Sequence, residues 1–161
     1  AWFMTGGGLD QLGPPQRARM RDQVRFLGRL QRDFYRQTAD WLRDELGYDG
    51  LVVASNWQTA DPELLDAIER WTYTAGDIID RHGYFGGRHE GDGASFSVRV
   101  GHTFDNLSAL TVPARLPIAV NQVAGMPHMI SEIGWTNPNR LRADCTTVIA
   151  AYGAVQGLDA V

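Results

Sequence analysis

The chain has 161 residues, 43% of them apolar and 21% charged, and carries a net charge of −4. That length supports a single domain with a real core, residues 1–161, and the composition excludes a disordered chain. It lacks the basic excess of a nucleic-acid footprint, so a polynucleotide partner is not expected. Many of the 15 basic residues crowd into residues 17–43, but Asp22, Asp33 and Asp40 are interleaved with them, the pattern of a solvated helix face. Cys145 is the single cysteine, which rules out an intrachain disulfide or an all-cysteine zinc site. No apolar run nears the ~20 residues of a membrane span, so no membrane partner is expected.

Residues 1–16 hold Gly6-Gly-Gly8 and Pro14-Pro15, the chemistry of a loop. From Arg17 to Leu46 the pattern is helical: Met20, Leu27, Phe34 and Trp41 recur every seven residues, with Val24 and Leu30 alongside, and Gly47 supplies the stop. Leu51-Val-Val-Ala-Ser55 reads as a strand buried on both faces. Asp61 and Pro62 start a second helix as N-cap and first residue, with Leu64, Ile68 and Trp71 as its apolar stripe. Another short strand falls at Gly76-Asp-Ile-Ile-Asp80.

Residues 86–127 are punctuated by glycines and prolines. They form a long excursion in which Ser95-Phe-Ser-Val-Arg-Val100 alternates like a strand with one solvated face. His128-Met-Ile-Ser-Glu132 is the third buried strand. Asn137-Pro138 opens a further helix with Leu141, Cys145, Val148, Ile149, Tyr152 and Val155 as its core stripe. Gly157 ends it, and Leu158-Asp-Ala-Val161 begins a fourth strand.

Buried strands separated by helices imply an α/β fold with a parallel sheet, either an open doubly wound sheet or part of a (β/α)₈ TIM barrel. No glycine fingerprint of the nucleotide-binding open sheet occurs. In both architectures function gathers at the C-terminal strand ends. Those ends carry Asn56 and Trp57; Asp80, His82 and Tyr84; and Glu132 and Trp135. Residues two apart on a strand share a face, so Asp80, His82 and Tyr84 can project together. A strand-end glutamate beside a tryptophan suits a sugar site, the carboxylate for an oxocarbenium-like carbon and the indole for the apolar face of a pyranose. The plainer readings are a structural salt bridge for Glu132, packing for Trp57, Tyr84 and Trp135, a structural role for His82, and a loop brace for Asp80.

Other chemistries find less support. The four histidines form no H-x-H or H-E-x-x-H pattern, so neither a metal nor another cofactor is expected. No G-x-S-x-G elbow exists, and Ser95 and Ser131 lack supporting context in the sequence.

Ala54-Ser-Asn-Trp57, Asp80-Arg-His-Gly-Tyr-Phe85 and Ile130-Ser-Glu-Ile-Gly-Trp135 resemble the ends of strands 5, 6 and 7 of the retaining glycoside hydrolases with a (β/α)₈ barrel, the clan of cellulase-like and β-galactosidase-like families. The resemblance spans about residues 30–161. It implies that Glu132 is the nucleophile, that Tyr84 and His82 contact it or the substrate, and that Asn56, Trp57, Asp80 and Trp135 bind a carbohydrate substrate. The clan's acid/base follows an asparagine at the end of strand 4, and no Asn-Glu pair occurs here. The chain is therefore expected to be the C-terminal part of such a barrel and inactive alone. The competing expectations are a carbohydrate-binding barrel without catalysis and another barrel hydrolase, such as a metal-dependent one.

Overall fold

A computed structural model describes residues 11–95, 97–118 and 121–161. The Gly6-Gly-Gly8 segment and Phe96 lie outside these. The fold is mixed α/β, with three α-helices and short strands, several of them paired in parallel, among the described residues. Among the described residues two compact units emerge: those of 11–81 with 122–129, and those of 82–121 with 130–161.

The first unit is built on α1 (Pro14–Asp44) and α2 (Asp66–Tyr73). Pro14 needs no N–H in the first turn of α1, and Gln16 Oε1 accepts from Gly13 N at 2.8 Å. At the other end Gly47 takes φ 66°, and Tyr48 N reaches back to Leu42 O at 3.0 Å, the stop expected from the sequence. The packed face follows the expected stripe only in part, with Met20, Val24 and Leu27 half-buried. Leu30, Phe34 and Trp41 are exposed, whereas Gly28 and Ala39 are buried. Gly28 packs directly against α2: a Cβ there would sit 2.9 Å from Ile68 Cδ1. The missing side chain at Gly28 leaves room for Ile68.

Asp61 caps the turn before α2, its Oδ1 accepting from Glu63 N and Leu64 N at 2.9 and 2.8 Å. Regular helix begins only at Asp66, and the expected stripe gives way to a polar one. Leu64 and Trp71 are exposed, whereas Glu69, Arg70, Thr72 and Tyr73 are buried. The reason is a buried charge network described below. The strand expected at 51–55 is reduced to one parallel bridge, Val53 to Ile78. Val52 N turns instead to the Asp77 carboxylate at 2.7 Å. β1 (Ile79–Asp80) pairs in parallel with β5 (His128–Met129), Ile79 opposite His128.

In the second unit β2 (Gly83–Phe85) pairs in parallel with β6 (Ile133–Trp135), Gly83 opposite Ile133. The core gathers Phe85, Ala109, Leu116, Ile118, Ile130, Trp135, Val148 and Ile149. The excursion contains an antiparallel pair, but of β3 (His89–Glu90) with β4 (Thr103–Phe104), not of the expected segment 95–100. Val98 and Val100 there are exposed, so the alternation of that segment has no apolar surface to pack on. Near the end of the chain Ile130 N donates to Ala160 O at 3.1 Å, where the fourth strand is expected.

α3 (Asp144–Gln156) starts later than Asn137-Pro138 suggests. Asn139 is fully buried; its Oδ1 accepts from Leu141 N and its Nδ2 donates to Leu107 O. This local turn competes with helix for the same backbone. Of the expected α3 stripe, Val148 and Ile149 are buried and Cys145 is partly buried, while Leu141, Tyr152 and Val155 are exposed. Gly157, at φ 69°, ends the helix as expected.

The expected strand 128–132 is the most informative departure. Only His128–Met129 and Ile133–Trp135 pair, and Ser131 and Glu132 occupy a bend. Two residues, Arg81 and His82, separate β1 from β2, whereas three, Ile130 to Glu132, separate β5 from β6. The register of β2 with β6 is therefore offset by one residue from that of β1 with β5, as at a β-bulge.

Candidate functional site

The surplus residue lets the chain leave the ladder where Glu132 stands. Glu132 O still accepts from Gly83 N at 2.9 Å, but the side chain is freed from strand alternation and is 58% exposed. β2 alternates in the ordinary way: Gly83 and Phe85 point inward and Tyr84 points out, 44% exposed. The Tyr84 hydroxyl donates to Glu132 Oε1. His82, just before β2, places Nδ1 3.4 Å from Glu132 Oε2. That is an ion-pair distance, and the approach is not aligned as a hydrogen bond. Each carboxylate oxygen thus faces a different partner.

Ser131 completes the group, its Oγ 3.2 Å from His82 Nε2. Sequence reasoning passed over it because it looks for a serine inside an elbow motif, and because neighbours on a strand point to opposite faces. In the bend that alternation does not hold, and Ser131 and Glu132 reach the two nitrogens of one imidazole. The signal available in the sequence was the unequal spacing of the two flanking segments.

The other expected site residues fall elsewhere. Trp135 is 5% exposed and packs on Phe85, with ring centroids 5.2 Å apart, inside the core of the second unit. Its faces are enclosed, so packing replaces the sugar-platform role expected of it. Asn56, Trp57 and Asp80 belong to the first unit. Asp80 is buried at 2% exposure, which removes it from direct substrate contact, and Trp57 is 51% exposed.

The loop bearing Trp57 is tied down from beneath. Glu69 Oε1 accepts from Thr59 N, Thr59 Oγ1 and Ala60 N at 3.0, 2.6 and 3.1 Å. Its Oε2 faces both terminal nitrogens of Arg81, at 3.1 and 3.2 Å. Arg81 also reaches Asp66, which binds Arg70 at 2.7 Å. The Tyr73 hydroxyl donates to Trp57 O at 2.7 Å, and Arg81 lies over the Tyr73 ring. Burial works against the charge of Glu69, but the Thr59 hydrogen bonds, Arg81 and Ala60 together hold its carboxyl below the usual range. Burial also pushes the Tyr73 phenol up to about 12. Burying charge is costly unless it is fully paired, and this network is how α2 can bury Glu69 and Arg70.

A cavity of about 820 Å³ opens between α1 and α2, lined by Met20, Val24, Leu64 and Ile68 with Arg17 and Arg21 among others. None of the expected site residues lines it. No group of three or more His, Cys, Asp or Glu side chains suited to a metal ion occurs among the described residues. No protein-family model, no curated protein and no solved structure matches this chain.

Proposed function

We propose that the chain is part of a glycoside hydrolase with a (β/α)₈ barrel, and that Glu132 is the nucleophile of a retaining two-carboxylate mechanism. The observation that carries this reading is the Glu132 carboxylate, exposed after parallel strand β5, with Tyr84 on one oxygen and His82 beside the other. Glu132 attacks the anomeric carbon through one oxygen, and Tyr84 steadies the carboxylate charge.

The barrel arrangement is supported by strand segments that neighbour one another in chain order. Val53 bridges Ile78 and β1 pairs with β5 in one unit, and Ile130 bonds Ala160 in the other. Successive βα units produce this adjacency. The retaining route also needs a second carboxylate ~5–5.5 Å from the nucleophile to protonate the leaving oxygen. The clan's Asn-Glu element is absent from this sequence, so the proposal takes that group from a further segment of the enzyme.

Activated 2-deoxy-2-fluoroglycosides with a dinitrophenolate leaving group test the assignment without the second carboxylate, because that leaving group departs unprotonated. The expected result is a covalent glycosyl adduct on the peptide containing Glu132, abolished in Glu132→Gln. A panel of gluco-, galacto-, manno- and xylo-configured reagents that leaves Glu132 unmodified would sink the assignment.

A further inference from the structure

We propose that Ser131, His82 and Glu132 also form a nucleophilic relay that transfers acyl groups from carboxylic esters to water. The observation is the order of contacts: Ser131 Oγ is 3.2 Å from His82 Nε2, and His82 Nδ1 is 3.4 Å from Glu132 Oε2. Nucleophile, base and orienting carboxylate stand in the sequence that activates a serine hydroxyl, at separations that are loose, as is common before substrate binds. Tyr84 holds Oε1 of the carboxylate and leaves Oε2 for the imidazole. Ser131 is exposed, so an ester can reach Oγ, while the His82 side chain is only 13% exposed.

The chemistry balances without an added cofactor. With the imidazole proton on Nδ1, the nitrogen nearer Glu132, Nε2 accepts from Ser131. Oγ attacks the ester carbonyl carbon, forming the new C–O bond as its proton passes to Nε2. Collapse of the tetrahedral oxyanion breaks the bond to the alcohol, which leaves with that proton. Water, deprotonated by Nε2, then attacks the acyl-serine and releases the acid, restoring Ser131. The backbone N–H of Glu132, the residue after the nucleophile, makes no backbone hydrogen bond among the described residues and is the donor at hand for the oxyanion.

The relay does not rest on the glycosidase reading. Ser131 has no part in that route, and the probes below contain no sugar. A fluorophosphonate is applied to the whole chain, followed by peptide mass spectrometry, with 4-nitrophenyl acetate turnover measured in parallel. The expected adduct lies on Ser131. Acylation falls about 100-fold or more in Ser131→Ala and in His82→Gln, the scale of losing a nucleophile or its general base. It is unchanged in Ser95→Ala, which alters an exposed serine of the excursion. Circular dichroism checks that His82→Gln keeps its fold, and His82→Asn serves as the second variant if it does not. An unmodified Ser131, labelling spread evenly over exposed serines, or labelling of Ser131 that survives loss of the imidazole overturns the relay.

Discussion

Tyr84 and Glu132 lie 48 positions apart in the chain, and the phenol of one is hydrogen-bonded to the carboxylate of the other. The contact exists because β2 and β6 pair in parallel with Tyr84 opposite Gly134, two residues beyond the glutamate. Removing the hydroxyl in Tyr84→Phe therefore isolates its effect on Glu132. Both groups are solvent-exposed, so folding stability should change by less than about 1 kcal/mol in urea titration. The rate of Glu132 glycosylation by a fluoroglycoside should fall roughly 10- to 100-fold, since a hydrogen bond to a charged group is worth about 1.5–3 kcal/mol. Labelling at the wild-type rate would show that Tyr84 does not act on the carboxylate.

Glu69 is the keystone of the charge network in the first unit. Glu69→Ala leaves Arg81 buried with only the longer contacts to Asp66 and the Tyr73 hydroxyl and removes the acceptor for Thr59 and Ala60. The expected loss is about 3–5 kcal/mol, read from denaturant unfolding. The same carboxyl shapes the acid side of the stability curve. Its folded value is held below the ordinary carboxylate value, so its contribution is full above about pH 4.5 and is lost as pH falls through the folded value. Glu69→Gln, which cannot ionise, should flatten that acid arm; an unchanged slope would remove the link.

Tyr73 governs the alkaline side. Its phenol stays neutral in the fold, pushed up to about 12 by burial, against about 10 in the unfolded chain. The stability gained by keeping it neutral is therefore full below pH 10 and declines as pH rises from 10 towards 12. Absorbance at 295 nm should show one of the five tyrosines titrating late. Tyr73→Phe should lose about 1 kcal/mol at neutral pH, through the Trp57 contact, and show a shallower alkaline decline. Simultaneous titration of all five tyrosines below pH 11 would contradict this.

The parts of the fold legible from the sequence were those written in local chemistry. Gly47 and Gly157 stop their helices at left-handed positions, Asp61 caps its turn, and the apolar runs around Ile79 and His128 pair in parallel. Periodicity failed where an element buries something other than its largest side chains. α1 buries Gly28 and Ala39 beside only part of its stripe, and α2 buries Glu69 and Arg70, because an ion network replaces an apolar stripe. It failed again at Asn137-Pro138, where Asn139 spends its side chain on a local turn. The site was legible in part. Glu132, His82 and Tyr84 do converge, but Trp135 is enclosed in the core, and Ser131 emerged only once the chain was seen to leave the strand.

The surplus residue between β5 and β6 separates two obligations that a regular strand would fuse. Phe85 and Trp135 remain partners whatever occupies positions 131 and 132, because their alignment is set beyond that insertion. The reactive groups ride on the bend after buried Ile130, and its length determines where they aim. Deleting one residue there would equalise the two connections and turn the carboxylate by one strand step, away from the phenol, while the aromatic pair behind it stayed in place. In this architecture chemistry can drift while the interior stands still.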